Sequence, residues 1–120
     1  MLRLVSLFLI AISPLATAIS PVANAGQFYS YRQWVALDDA LRSVYIAGVF
    51  DSLLGIVKDR NDVPVTKHYD DCITRANMTN GQLADNVIAF VKGRPELQER
   101  SVSGALMNYL IVYCGPPPLR

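Results

Sequence analysis

The stretch Tyr45–Leu54, with the sequence YIAGVFDSLL, is almost wholly apolar but carries Gly48 and Asp51 three residues apart. In a helix, this spacing places both residues on one face. Glycine weakens a helix by about 1 kcal/mol relative to alanine, and a buried carboxylate without partners costs several times that amount. We therefore expect Gly48 to let another helix approach closely and Asp51 to bond the segment packed there, with a direct functional role as the alternative.

The same stretch belongs to a longer helical pattern, which runs from Ala40 to Val57. Apolar or small residues recur there at intervals of three and four, and a second apolar stripe lies beside the first. A helix that is apolar on so much of its surface is usually the central one of a bundle. The preceding pair Asp38-Asp39 supplies an N-cap, because an aspartate oxygen can accept bonds from free amides of the first turn.

The clearest helix start in the chain is Thr79-Asn80-Gly81-Gln82, which fits a capping box. In such a box, Thr79 caps the amide of Gln82 and the glutamine side chain bonds back to the threonine amide. Met78 and Leu83 stand at the two positions of a hydrophobic staple. We expect this helix to end at Gly93, which would adopt the left-handed conformation that closes many helices.

Two further helices are predicted at the edges of the domain. Ser30–Leu37, with the sequence SYRQWVAL, predicts a short leading helix of one or two turns. A last helix begins at Glu96 or Ser101 and runs to Tyr113, where apolar residues follow an i, i+3, i+4, i+7 series.

The polar connection of residues 63–77 contains Pro64 and predicts mostly irregular chain, with at most one turn of helix around Tyr69–Ile73. No segment shows sustained alternation typical of a strand. We therefore predict an all-α fold, a small helical bundle of three main helices plus a short leading helix.

Residues 1–25 have the layout of a secretory signal peptide. The apolar run Leu4–Ile12 is too short to span a bilayer, and two A-x-A cleavage sites follow it. We expect cleavage after Ala25, which leaves residues 26–120 as a single domain. Cleavage after Ala18 is the second choice, and a buried N-terminal helix is the remaining alternative.

The chain has two cysteines, Cys72 and Cys114. In the oxidising compartment that an exported protein enters, such a pair predicts one disulfide. A bond that closes a loop of this length contributes up to about 4 kcal/mol, a large share of the stability of so small a domain. A reactive thiol is the alternative.

Charge and residue types exclude several functions. The chain has 11 Lys and Arg against 10 Asp and Glu, and Arg3 lies in the signal peptide. Without a basic stripe, binding to nucleic acid or to an anionic membrane surface is not expected. The only histidine, His68, stands in the run His68–Cys72, which lacks the spacing of a metal site. No nucleophile or phosphate-binding motif is present, so we predict a protein that is not an enzyme and that uses no cofactor or metal.

Several elements of the chain resemble the Rap/Tai family of immunity proteins. The resemblance covers roughly Tyr45 to Cys114 and rests on the order and spacing of Tyr45, Gly48, Asp51, Cys72, Gly81-Gln82-Leu83, Pro95, Ala105-Leu106 and Cys114. Members of this family are small exported helical proteins of Gram-negative bacteria. They bind and block peptidoglycan amidase toxins that type VI secretion injects into the periplasm.

The resemblance implies a periplasmic or secreted binding protein whose partner is a secreted toxin, such as a peptidoglycan amidase. A general periplasmic helical binder, or a chaperone-like stress protein, is the alternative, and a homodimer is left open. Aromatic residues and arginine are common interface anchors, although they also cover the cores of bundles. The candidate contacts, which include the N-terminal aromatics, are Phe28, Tyr29, Tyr31, Arg32, Trp34, His68 and Tyr69.

Overall fold

A computed structural model describes residues 28–59 and 63–118 of the chain. The predicted signal peptide, residues 1–25, lies outside the described residues. The helices, in chain order, are α1 (Tyr31–Val35), α2 (Asp39–Asp59), α3 (Val63–Arg75), α4 (Asn80–Lys92) and α5 (Val102–Cys114), with a short 3-10 helix at Pro95–Leu97 before α5. Within the described ranges there is no strand, and Ser30 and Ser101 form an isolated bridge. The predicted all-α fold is confirmed.

Local signals at the helix ends are largely confirmed. The carboxylate of Asp38 accepts a bond of 2.8 Å from the Leu41 amide at the start of α2. At the start of α4, the Gln82 amide donates to the Thr79 hydroxyl (3.2 Å) and the Thr79 amide donates to the Gln82 side chain (2.9 Å), as the capping box predicts. The left-handed end at Gly93 is wrong, since its φ is −90°. The chain turns there directly into the 3-10 helix instead.

The segment predicted as an irregular connection is the 13-residue helix α3. Val65, Tyr69 and Ile73 lie four residues apart and face the bundle, where Tyr69 and Ile73 are buried. Pro64 lies in the first turn, where its missing amide would have had no helical partner. The described part of the chain therefore has four long helices rather than the three that the sequence predicts.

The helices pack around one core in which the longest helix is not enclosed. α2 packs against α3, α4 and α5, yet Ile46 is its only fully buried side chain among residues 39–55. The fully buried side chains with the largest volumes are Trp34, Ile46, Leu106, Leu110, Val87, Val91 and Val102. α4 and α5 thus supply most of the core, and one face of α2 stays in contact with solvent.

The leading helix is tied to the bundle by Trp34. Its indole nitrogen donates to the Arg42 carbonyl (3.1 Å), so the polar atom of a buried ring has a partner. The Arg42 guanidinium in turn donates to the carbonyls of Val35 (3.0 Å) and Leu37 (2.9 Å) and pairs with Asp39. The turn between α1 and α2 is therefore held from both sides.

The predicted disulfide is confirmed. The sulfur atoms of Cys72 and Cys114 are 2.00 Å apart, and the bond joins α3 to the last residue of α5. One turn before Cys72, the His68 Nε2 atom lies 3.1 Å from the Gly115 carbonyl oxygen. A covalent bond and a hydrogen bond thus fix the end of α5 against α3.

Removal of the disulfide should strongly destabilise the domain. We expect the double variant Cys72→Ser, Cys114→Ser to lose up to about 4 kcal/mol of unfolding free energy, because the unfolded chain regains the freedom of the loop. Urea unfolding followed by circular dichroism measures this loss. Wild-type protein treated with a reductant is the matched control, and it should unfold at a urea concentration similar to that of the double variant. Equal midpoints for the oxidised protein and the double variant would contradict the prediction.

Candidate functional site

An apolar groove runs along the exposed face of α2. It has a volume of about 590 Å³ and lies between α2, the segment Phe28–Tyr29 and the start of α5. We call it the α2 groove; it is lined by Phe28, Tyr29, Val44, Tyr45, Gly48, Val49, Ser52, Leu53, Ser101, Val102 and Ser103. Phe28 and Val44 expose 85% and 71% of their surface at its edge. The groove is thus an apolar surface open to a partner.

Hydrogen bonds between its walls hold the groove in shape. The Tyr45 hydroxyl accepts a bond of 3.0 Å from the Tyr29 amide, and the two rings meet edge to face at 5.0 Å. On the other side, the Val102 amide donates to the Tyr29 carbonyl (3.3 Å) and the Tyr31 amide donates to the Arg100 carbonyl (2.9 Å). The N-terminal segment therefore bridges α2 and α5. Tyr45, one of the family-like residues, has a clear structural role in this bridge.

The expectations for Gly48 and Asp51 are wrong. A Cβ atom on Gly48 would meet no atom within 4 Å, so no helix approaches there. Asp51 is exposed, and it forms no hydrogen bond or salt bridge within residues 28–59 and 63–118. Both residues lie on the face of α2 that points away from the bundle, so neither a close contact nor a partner for the carboxylate is needed.

Three further family-like residues, Gly81, Gln82 and Leu83, lie at the start of α4. Gln82 completes the capping box and Leu83 is buried in the core. A Cβ atom on Gly81 would lie 3.7 Å from the Ser43 hydroxyl, so the beginning of α4 comes near α2 at this glycine. These three residues support the architecture of the bundle.

A second exposed surface lies at the C-terminal end of α5. We call the segment Ile111–Tyr113 the α5 end; its three side chains are exposed although all are large and apolar or aromatic. The Tyr113 ring stacks on Tyr109 at 5.3 Å, and Tyr113 also borders a cavity of about 250 Å³ together with Asn86 and Met78. This surface could not be expected from the sequence, because Tyr113 continues the apolar series of the α5 core.

The structure buries three of the seven residues that the sequence nominates as partner contacts. Tyr31, Trp34 and Tyr69 are buried and therefore cannot touch a partner in this conformation. Arg32 is exposed and pairs with Glu99, to which its Nε atom donates at 2.8 Å. His68 is half-buried, and its ring lies edge to face against Tyr69. Of the other four, Phe28 and Arg32 are exposed, and Tyr29 and His68 are half-buried.

Burial and one ion pair account for the pKa shifts among the described residues. Burial raises the pKa of Tyr31, Tyr69 and Tyr109 above the ordinary tyrosine value. The Tyr69 hydroxyl is buried and has no hydrogen-bond partner in this part of the chain. A hydrogen bond of 2.6 Å from Lys67 lowers the pKa of Asp71. Among the described residues, no hydrogen bond joins any two of these four groups.

Among residues 28–59 and 63–118, no group of three or more His, Cys, Asp and Glu side chains could hold a metal ion. Both cysteines are in the disulfide. No helix of the described ranges combines the length and apolar character that crossing a membrane requires. Two exposed, mainly apolar surfaces are present in the described ranges, the α2 groove and the α5 end.

Comparison with protein-family models, with curated proteins and with solved structures gives no match for this chain. The resemblance to the Rap/Tai family therefore stays a hypothesis that rests on the residues quoted above.

The exposed position of Gly48 has a consequence for stability. We expect Gly48→Ala to raise the unfolding free energy by up to about 1 kcal/mol, because the new methyl group meets open space and the helix gains a better former. Thermal and urea unfolding measure the change. Gly115→Ala is the matched control and should destabilise the protein, since Gly115 has a φ of +80° that side chains rarely adopt. A lower melting temperature for Gly48→Ala would show that a neighbour does pack on Gly48.

Proposed function

We propose that this chain is an exported, non-catalytic binding protein that inhibits a periplasmic toxin, such as a peptidoglycan amidase, by covering the active site of that toxin. The resemblance of Tyr45–Cys114 to the Rap/Tai family motivates the proposal. The Cys72–Cys114 bond supports it, because disulfides persist in oxidising compartments such as the periplasm. Inhibition by occlusion requires only affinity and a fixed shape, and no titratable group of this chain has to take part in a reaction.

The observation that carries the proposal is the rigid, exposed α5 end. Tyr113 exposes 49% of its surface, and its ring is already ordered by stacking on Tyr109. The next residue is disulfide-bonded Cys114, and His68 bonds the carbonyl of Gly115 after it. An aromatic side chain that is ordered before binding loses little entropy when a partner covers it. Tyrosine is also enriched among the residues that dominate binding energy.

The surroundings of Tyr113 suit the recognition of another protein. Val112, 64% exposed, adds apolar area beside it. The cavity that Tyr113 shares with Met78 and Asn86 is polar on part of its wall, so that a partner could find hydrogen bonds next to the apolar anchor. A hydrolase keeps its active site in a concave cleft, and an exposed, ordered aromatic side chain such as Tyr113 can enter such a cleft. We assign the toxin contact to this end of α5.

The alternative function is a general periplasmic helical binder or a chaperone-like stress protein. Such a protein would bind many unfolded clients weakly and would not depend on one tyrosine. The two functions therefore differ in the number of partners and in the sensitivity of binding to a single side chain.

Truncation of Tyr113 should separate binding from folding. We expect Tyr113→Ala to weaken the affinity for the toxin about thirtyfold, or about 2 kcal/mol, because an ordered aromatic anchor is lost. The melting temperature should change little, since half of the side chain is in solvent. Isothermal titration calorimetry with the cognate toxin measures the affinity. Asp85→Ala, an exposed position on α4, is the control and should bind as the wild type does.

Protection of cells tests the function itself. Cells that express the chain with residues 1–25 should survive periplasmic amidase toxins, whereas cells that express it without them should not. The purified protein should show no hydrolase activity on peptidoglycan. If no toxin of any class is blocked, and a periplasmic extract of the native host yields only weakly bound, mixed clients, the immunity function is wrong and the general binder is favoured.

A further inference from the structure

We propose that Met78 is a site of reversible oxidation, at which hydrogen peroxide converts the thioether to a sulfoxide whose oxygen is bound by Asn86 and Tyr109. The chain has three methionines, Met1, Met78 and Met107, and the structure describes the last two. The proposal does not depend on the toxin. It rests on two donors that point at the sulfur, on the cavity beside it and on the fixed backbone of Met78.

The first observation is that the Met78 sulfur accepts two hydrogen bonds. The Asn86 Nδ2 atom donates to it at 3.6 Å and the Tyr109 hydroxyl donates to it at 3.9 Å. A thioether is a weak acceptor, so it satisfies neither donor well. Burial raises the pKa of Tyr109 above the ordinary tyrosine value, and the hydroxyl therefore keeps the proton that it donates. Two polar donors thus converge on an atom that binds them weakly.

Oxidation replaces this weak acceptor by a strong one. A sulfur lone pair attacks one oxygen of hydrogen peroxide, and the S–O bond forms as the O–O bond breaks. The proton of the transferred oxygen moves to the departing oxygen, which leaves as water. The sulfur loses two electrons and the peroxide gains them, which gives methionine sulfoxide. The new oxygen occupies a lone-pair position of the sulfur, where both donors point, and it can accept from both.

The second observation is a route for the oxidant. Met78 borders the cavity of about 250 Å³ that it shares with Gln82, Asn86 and Tyr113. A water molecule takes up about 30 Å³ in the liquid, so a cavity of this size admits hydrogen peroxide, which has two oxygens. Met107 is half-buried as Met78 is, but it lines neither this cavity nor the α2 groove. Its sulfur accepts no hydrogen bond from residues 28–59 and 63–118.

The third observation is that the backbone holds Met78 in place. Its amide donates to the Ile73 carbonyl near the end of α3 (3.3 Å), and the next residue, Thr79, caps α4. The sulfoxide therefore forms beside its donors without a rearrangement of the helices. A polar oxygen on a core methionine that lacks donors would instead disrupt the packing.

Reduction makes the modification reversible. A methionine sulfoxide reductase removes the oxygen as water while two of its thiols, or those of its reductant, form a disulfide. Tyr109 connects this site to the α5 end, because its ring stacks on Tyr113 at 5.3 Å. The oxidation state of Met78 thus changes the polarity of the cavity wall next to Tyr113.

Peroxide treatment of the exported protein, followed by mass spectrometry, tests the site. Trypsin separates the two methionines, because Met78 lies in the fragment of residues 76–92 and Met107 in that of residues 101–120. Met78 should gain oxygen at least about fivefold faster than Met107, since the oxidant can enter the cavity beside it. In urea the two rates should become equal, and a reductase should remove the oxygen. Equal rates in the folded protein, a preference that persists in urea, or a sulfoxide that resists the reductase would overturn the proposal.

The stability of the oxidised protein tests the donors. In a Met107→Leu background, oxidation of Met78 should leave the melting temperature unchanged or raise it. With Asn86→Ala added, oxidation should lower it by about 5 °C, because the new oxygen then lacks a partner. Asn108→Ala is the matched control, since the Asn108 amide donates to the Gly104 carbonyl of its own helix and not to Met78. An equal loss of stability in all three proteins would show that the donors do not bind the oxygen. Because no toxin is present, these outcomes leave the immunity function untouched.

Discussion

The disulfide between Cys72 and Cys114 is the constraint on which the arrangement of the helices depends. α4, the 3-10 helix and α5 all lie between the two cysteines, so the bond encloses most of the core-forming chain in one covalent loop. That loop closes against α2, which packs on α3, α4 and α5. A domain of this size buries a limited core, and the disulfide therefore accounts for a large part of the net stability.

Local signals in the sequence predicted much of this fold. The capping box at Thr79, the cap at Asp38 and the apolar spacing of α5 are all properties of short segments, and the structure confirms them. α3 escaped prediction because Pro64 and a polar composition are typical of loops. The one feature that distinguishes α3 from a loop is the set of three core-facing residues spaced four positions apart. The polar composition of α3 thus predicted a loop, whereas the spacing of its apolar residues alone would have predicted a helix.

The surfaces were harder to predict than the helices, for a physical reason. α2 is apolar on nearly every side, so its periodicity does not tell which face the bundle covers. Gly48 and Asp51 were therefore assigned to a contact that lies on the other side of the helix. Aromatic residues raise the same difficulty, since they serve both cores and interfaces. Trp34 is in the core and Tyr113 is at the surface, and only the tertiary packing separates them.

The two exposed apolar surfaces lie at different ends of α5. Ser101–Ser103, at its start, form part of the α2 groove, and Tyr113 is at its end, about 18 Å along the helix axis. The start and the end of α5 therefore belong to two separate apolar surfaces of the bundle.

With two cysteines in the whole chain, oxidation within one molecule has a single product. No wrong internal pairing exists, so biogenesis requires an oxidant but no isomerase to correct errors. Synthesis proceeds from the N-terminus, and Cys72 therefore emerges first and waits as a free thiol while the 42 positions up to Cys114 follow. During that interval the Cys72 thiol can form a disulfide with a neighbouring chain. Crowded expression should consequently produce covalent oligomers joined through Cys72, whereas a slow supply of chains favours the native loop.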